Sequence, residues 1–432
     1  MKRICCLLLL LWTYQLHAQI SDQLNLVGQA TLPATATDIW GYYDESTNTE
    51  YAIIGTFGSG IFIYDVSDPS QPNLVANMDT VAGFDMKVYQ NYLYTVNGGD
   101  FGDGSIIDLS DPTNPVERAT FPSAHNIWIT DEGLLITKCT GMQIYDLTAS
   151  PESPQLLFDD FTSQCHDAVV VEDILYDFHG TDGTFIYSIT DPNNPQILGV
   201  IDDFSIVYHH SGDQSEDGNY LYICDELSGQ GPSPGPDITI WDISDPSDPN
   251  KVNEISSSTA TVHNLYIIGD RMYVSFYADG IKIYDVSNPA IPTLVDEFDT
   301  SPNASEGFSG AFGIYPFAPS GNLYVSDMQA GLMIFGDPIS TSIETVADDL
   351  DAVGLFPNPA QNLLNLVLDL PQAGEVQVRI TDVLGRAVLP TVQVEFPSGR
   401  TNHDIIVDVL PRGVYYLNLD GAINRSLKFI KQ

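Results

Sequence analysis

The chain holds eight histidines, and four of them fall at one place in a repeating pattern. They are His125 in Ala-His-Asn-Ile-Trp, His166 in Cys-His-Asp-Ala-Val, His210 in Tyr-His-His-Ser-Gly and His263 in Val-His-Asn-Leu-Tyr. Asp38 (Asp-Ile-Trp) and Asp85 (Asp-Met-Lys-Val) line up with them in the two preceding repeats. Imidazole and carboxylate together are donors for zinc, manganese, iron or nickel, and carboxylates alone suit calcium. The competing reading is structural, with these side chains bonding one another and the strand ends to keep the repeats in register. A histidine used only for packing has no reason to keep a period, so the period ties the six residues to an axis. A circle of six donors is wide, and a subset of three or four would hold one ion.

The axis is implied by a second, more frequent motif. Tyr64-Asp65-Val66-Ser67-Asp68-Pro69 is rewritten at Ile107-Asp108-Leu109-Ser110-Asp111-Pro112, Trp241-Asp242-Ile243-Ser244-Asp245-Pro246 and Tyr284-Asp285-Val286-Ser287-Asn288-Pro289. Looser copies begin at Tyr145 and Tyr187, and a cut-short one is Phe335-Gly336-Asp337-Pro338. Seven copies, 38 to 54 residues apart, each divide into four short alternating strands. A strand-rich period near 40–50 residues is the signature of a β-propeller, with one four-stranded sheet per blade. The last copy lacks a fourth strand, whereas Leu24–Ala30 is a strand without a repeat of its own. The expectation is an all-β, seven-bladed propeller closed by that N-terminal strand. The Asp of the motif is read as holding its own turn.

The first strand of a propeller blade is innermost, so equivalent residues at its start ring one mouth of the central channel. The hairpin loops opening on the same face place Asp100, Asp103, His179, Asp182, Asp225, Glu226 and Asp279 around it as an acidic rim. Such a mouth suits a metal, an organic cation or a polar sugar better than an anion. Cys139 and Cys165 are the pair placed to form a disulfide near it. No His-Glu-x-x-His, Gly-x-x-x-x-Gly-Lys or Gly-x-Ser-x-Gly motif is present, and no nucleophile or general base can be named.

Composition bounds the partners. The chain has 58 Asp and Glu against 15 Lys and Arg, a net charge of −43. The excess lies before residue 351, and the remainder is near balance, which marks two domains. That field repels nucleic-acid phosphate and anionic lipid and keeps the chain monomeric. Lys2 and Arg3, the apolar run Ile4–Trp12 and Ala18 read as a signal peptide over residues 1–18, with no later segment for direct membrane insertion. The propeller is expected over 19–338, a linker over 339–353 and a small β-sandwich over 354–432.

Phe356-Pro357-Asn358-Pro359, Asp382-Val383-Leu384-Gly385-Arg386, Leu410-Pro411-Arg412-Gly413-Val414-Tyr415 and Lys428-Phe429-Ile430-Lys431 closely resemble the type A C-terminal sorting domain of the type IX secretion system. The resemblance implies recognition by that machinery, export across the outer membrane, removal of the domain and attachment to surface lipopolysaccharide. The repeats resemble the LVIVD-repeat proteins, and more closely the choice-of-anchor B family. The residues concerned are Asp38-Ile39-Trp40-Gly41-Tyr42, Ala124-His125-Asn126-Ile127-Trp128, Phe308-Ser309-Gly310-Ala311-Phe312 and Ser326-Asp327-Met328-Gln329-Ala330-Gly331. At His210-Ser211-Gly212-Asp213 the chain departs from that family's usual His-Gln-Gly-Trp. The family supplies no activity to carry over. The leading expectation is a surface binding or adhesion module for a polysaccharide or protein ligand, with a divalent metal as its cofactor. The alternatives are a metal-dependent hydrolase or oxidoreductase using the same mouth, and a purely structural surface protein.

Overall fold

The computed structural model describes residues 24–336 and 353–431, apart from 100–101, 165, 229–234, 257–259, 301, 303–306, 357–359, 361–362, 371, 383–385, 387, 412, 422 and 424. The expected signal peptide and the expected linker up to residue 352 lie outside the described residues, as do Asp100, Cys165 and the side chain of Cys139, and with them the expected disulfide. Two compact units divide the chain at residues 342 and 343. All regular structure among the described residues is β-strand, and no helix there is long and apolar enough to cross a membrane.

Seven antiparallel sheets follow one another through the first unit. The first blade is Ala36–Asp44, Thr49–Thr56, Ile61–Asp65 and Asn73–Met78, and the second runs from Asp85–Tyr89 to Val116–Pro122. The seventh contains Ala311–Tyr315, Leu323–Asp327 and Gly331–Phe335, and its outer strand is the N-terminal Leu26–Ala30. The ring is therefore closed by hydrogen bonds between the two ends of the unit.

The third blade departs from four separate strands. Its sheet has three, because Leu134–Asp146 is one unbroken run. Within that run the chain doubles back. Leu147 N–H donates to the Gly133 carbonyl (2.9 Å), as Leu109 donates to Asn91 and Ile189 to Asp173 in neighbouring blades. Gly141, at φ 95°, supplies the left-handed residue that so tight a reversal needs. The four-strand blade is retained with its central hairpin shortened to a corner.

Alternation along the strands explains the stacking of blades. In Tyr220–Asp225, Leu221 and Ile223 face the fourth blade, packing with Val169, Tyr176 and Ile186. Tyr222 and Cys224 face the sixth, against Leu265, Met272 and Val274. Seven such apolar clusters fill the seven blade-to-blade interfaces. The repeated turn serves the same joints. Asp65, Asp108, Asp146, Asp242 and Asp285 each accept from the backbone N–H two residues on, at 2.7–3.0 Å. The Ser110 hydroxyl and N–H, with Arg118 and Asn91, hold Asp108 down at about 2 against its partial burial. The turn's proline carbonyl is then presented to the preceding blade, where Tyr222 O–H donates to Pro289 (2.8 Å) and Tyr94 to Pro151 (2.6 Å).

The second unit is two facing sheets. One has the order Val353–Phe356, Leu363–Leu370, Gly399–Ile406, and the other Val392–Phe396, Gly374–Asp382, Gly413–Gly421, Arg425–Lys431. Period-2 positions Leu364, Leu366, Leu368, Val376, Val378, Ile380, Leu417 and Leu419 meet in its core, as a small sandwich requires.

Two outcomes follow. Removing residues 19–33 leaves Gly331–Phe335 with an open edge and breaks the ring; thermal unfolding should lose its single cooperative transition, and an unchanged melting temperature would refute the closure. Asp213, on the inner strand His209–Gln214, accepts from Ile267 N–H of the next blade (2.8 Å) and from Gln214 N–H (2.8 Å). Burial, against those two bonds, raises it to about 7. A raised carboxyl holds its proton longer in the folded state, so its contribution is full at acid pH and is lost as pH climbs from about 4 through 7. Melts at pH 5 and pH 8 should differ less in Asp213→Asn than in the wild type, by an amount on the order of a few kcal/mol.

Candidate functional site

Innermost strands start at the mouth, and their first residues share one backbone contact. Phe84, His125, His166 and His263 each donate their N–H to the carbonyl of the adjacent strand, Val96, Lys138, Phe178 and Ser275 respectively, at 2.8–2.9 Å. Those positions, with His210 and Phe312, place six aromatic rings in a closed circle. Centroid separations run Phe84–His125 4.9 Å, His125–His166 4.3 Å, His166–His210 4.3 Å, His210–His263 4.7 Å, His263–Phe312 4.1 Å and Phe312–Phe84 6.0 Å. Four consecutive blades supply imidazoles, and the blades on either side supply phenyls.

The imidazoles are oriented, not merely gathered. His125 Nδ1 bonds the Gly98 carbonyl (2.8 Å) and His263 Nδ1 the Phe312 carbonyl (2.7 Å). A carbonyl can only accept, so both nitrogens carry the proton and both Nε2 atoms keep a free lone pair. His166 Nδ1 meets the Tyr208 hydroxyl (2.9 Å). Burial lowers His210 and His263 to about 3 and His166 well below its ordinary value, with the neighbouring imidazoles adding to the effect. These three are therefore neutral at physiological pH, the form that coordinates metals.

Asp38 and Asp85 fall one residue deeper than the imidazoles. Phe84, not Asp85, is the residue equivalent to His125, and in the first blade Thr37 precedes Asp38 on a strand that begins at Ala36. The two carboxylates are buried around the Lys87 ammonium, at 2.7 Å from Asp85 and 3.6 Å from Asp38. Asp85 also accepts from Ile127 N–H (2.7 Å), tying the second blade to the third. Burial raises Asp38 well above its usual range, whereas Asp85, pushed upward by the same burial, is nevertheless held below it by Lys87 and a hydrogen bond with Asp38. Lys87 lies 4.5 Å from the Trp40 ring centroid. Trp40, Trp128 and Tyr266, from three different blades, stand 6.3–6.4 Å from one another and fill the channel below.

Among the described residues of the expected rim, Glu226 alone stands against the imidazoles, with Oε2 3.5 Å from His210 Nε2 and Oε1 3.8 Å from His263 Nε2. Tyr277 O–H donates to Oε1 (2.6 Å) and fixes it. Asp225 is buried instead, accepting from the N–H groups of Val207, Tyr208 and Leu227, and burial raises it to about 6. His179 bonds Asp177 (2.6 Å), which in turn pairs with buried Lys138. Asp279 pairs with Lys282 (2.9 Å), and Asp103 and Asp182 are exposed. Asp225, His179 and Asp279 are thus engaged by loop or strand partners and Asp103 and Asp182 face solvent, and none of these five lines the cavity at the imidazoles.

The resulting cavity is about 260 Å³ and is lined by the four histidines, Glu226, Tyr277, Phe57, Phe84, Phe308, Phe312 and Met328, with Asp38, Asn126 and Asn264 at its base. Tyr277, Phe57, Phe84, Phe308, Phe312 and Met328 carried no period that chemistry alone would flag. Aligning Phe84-Asp85 with His125-Asn126 would have found Phe84.

The fold and the mouth define the class: a β-propeller whose channel opens on a circle of imidazoles. Four LVIVD repeats match the chain at residues 47–80, 84–121, 215–256 and 261–300, and a secretion system C-terminal sorting domain matches residues 354–432. The chain thus carries LVIVD repeats and a type IX sorting domain, which directs it through the outer membrane to the cell surface or the extracellular space. No curated protein matches it. Among solved structures it is similar to the Cps50 (Swd1) β-propeller domain of Myceliophteria thermophila, at 12% identity and TM-score 0.51, over 72% of this chain and 99% of that one. U3-55K gives 9% identity and 0.51, over 72% and 98%. The RRP9 WD40 repeats give 10% identity and 0.50, over 72% and 99%. At such identities the likeness is one of fold.

Replacing Lys87 by Met leaves Asp85 and Asp38 buried without their counter-charge. Chemical denaturation should show a loss of about 3–5 kcal/mol, the cost of stranding one member of a buried pair, with the greater part recovered in Lys87→Met/Asp85→Asn.

Proposed function

We propose that the protein is a cell-surface binding module that takes its ligand at the imidazole-lined mouth, with a divalent metal ion as part of the site. The observation that carries this reading is the orientation of His125 and His263, whose Nδ1–H groups are spent on backbone carbonyls so that both Nε2 lone pairs stay free. That arrangement is the one metal-ligating histidines adopt. The strongly acidic chain concentrates cations around it. The sorting domain adds that the site acts outside the cell, and we extend this to removal of the domain and attachment of the mature chain to surface lipopolysaccharide.

A second reading is a metal-dependent hydrolase or oxidoreductase. It is favoured by one geometric fact, that single donor atoms of His166, His210 and Glu226 lie within 4.8 Å of one another. Two histidines and a carboxylate with open positions recur in catalytic zinc and iron sites.

Metal analysis of the mature protein, wild type against His125→Ala/His166→Ala, tests the shared premise. One equivalent in the wild type, lost in the variant, is the expected result, and a metal-free wild type purified without chelator and reloaded in excess zinc and manganese would sink both readings. Turnover of polysaccharides and phosphoesters by the loaded wild type would favour the second reading over the first.

A further inference from the structure

The mouth cavity is chemically divided, and the division specifies what it holds. In the circle of six rings, His166 and His210 occupy the two places farthest from the phenyls, each separated from Phe84 or Phe312 by another imidazole. His166, His210 and Glu226 are the group whose donor atoms approach within 4.8 Å. Tyr277 fixes Glu226, and Tyr208 engages His166 at Nδ1, which leaves Nε2 for an ion. Across the circle stand Phe84 and Phe312, with Phe57 5.7 Å from Phe84 and 6.5 Å from Phe312.

We infer that His166, His210 and Glu226 hold a first-row transition ion whose open positions turn toward the phenyl wall, and that the ligand is a small molecule joining an oxygen-donor chelating head to an apolar ring. This rests on the binding reading above and adds to it the ligand set and the ligand class. Two imidazoles and one carboxylate suit zinc, iron, manganese or cobalt, whereas calcium takes oxygen donors throughout. Three protein donors leave room at the ion for an incoming head. No Lys or Arg lines the cavity among the described residues, so an anionic or ionising head has its charge met by the ion itself. Phe57 and Phe308 are 50% and 43% exposed at the entrance, apolar surface that an aromatic body would cover. The cavity, about 260 Å³, is the share of roughly nine waters, which fits a single-ring compound. Trp40, Trp128 and Tyr266 block the channel beneath, so a threaded polymer does not fit.

The test uses the mature protein loaded with cobalt(II), whose visible absorption reports its ligands. Acetohydroxamate and benzohydroxamate share one chelating head and differ in the body. Both should change the spectrum, and benzohydroxamate should bind about tenfold or more tighter, as burial of a phenyl against a methyl predicts. Phe57→Ser/Phe308→Ser should erase most of that advantage and leave the ligand-free cobalt spectrum unchanged. Glu226→Gln should weaken cobalt binding at least about tenfold. Equal affinity for the two hydroxamates, or a phenyl variant that keeps the preference, overturns the ligand class. A spectrum indifferent to hydroxamate overturns the open positions, and undiminished cobalt affinity in Glu226→Gln overturns the ligand set. In each of those cases cobalt still binds and the metal reading stands; failure to bind cobalt at all refutes the metal reading itself.

Discussion

The pairing of Leu26–Ala30 with Gly331–Phe335 is the contact on which the other features depend. A single blade exposes apolar residues on both faces, and only a closed circle supplies each face with a neighbour. Gly28 shows that the joint is made like the others. A Cβ there would lie 1.8 Å from the Pro69 carbonyl of the first blade's turn, and a Cβ at Gly199 would lie 1.6 Å from the corresponding Pro246 carbonyl. An outer-strand glycine admits the next blade's turn in both places, so the joint between the chain's ends repeats one made in the middle. Closure then fixes the radius on which the inner strands stand, and that radius puts neighbouring imidazoles 4.3–4.7 Å apart.

Charge is arranged in layers down the channel. The uppermost is imidazole and phenyl, and the next is Asp38, Asp85 and Lys87, where an ammonium offsets two buried carboxyls. Asp167 belongs to this layer and is raised to about 7 by burial and by Asp85. Burying Lys87 there costs several kcal/mol of desolvation, and its attraction to Asp85 overrides that cost strongly enough to raise its pKa. The aromatic plug formed by Trp40, Trp128 and Tyr266 completes a pit with one entrance.

The fold was legible in the sequence because its determinants are local and repeated. Each Asp-x-Ser/Thr turn closes on itself within two residues, so its five copies, with the looser copy at Tyr187 and the cut-short one at Phe335, count blades without any long-range information. The histidine circle was legible for the same reason. Its register was harder: His125-Asn126 and Phe84-Asp85 are equivalent pairs, but a search for polar donors aligns Asp85 with His125 and shifts the carboxylates into the wrong layer. The rim was least legible. Asp225 and Glu226 are adjacent acids on one hairpin, yet Asp225 is consumed by three backbone N–H groups and Glu226 faces His210 and His263. Sequence gives both the same address, and only the path of the loop decides which one turns inward.

The asymmetry of the circle carries the functional argument further than the histidines alone. A device for holding blades in register would use equivalent residues all round, as the repeated turns do. Here four successive blades contribute imidazoles, while Phe84 and Phe312 stand on the far side, with Phe57 reaching in from the first blade's hairpin. The phenyls close the ring as well as the imidazoles do, so closure did not require histidine at any place in it. Burial drives His166, His210 and His263 neutral and thereby removes the charge repulsion that would otherwise oppose crowding these three together. What remains is a run of lone pairs with a fixed carboxylate beside it, opposite a hydrocarbon wall. A scaffold has no use for that polarity across its opening, whereas a site that distinguishes the two ends of a small ligand depends on it.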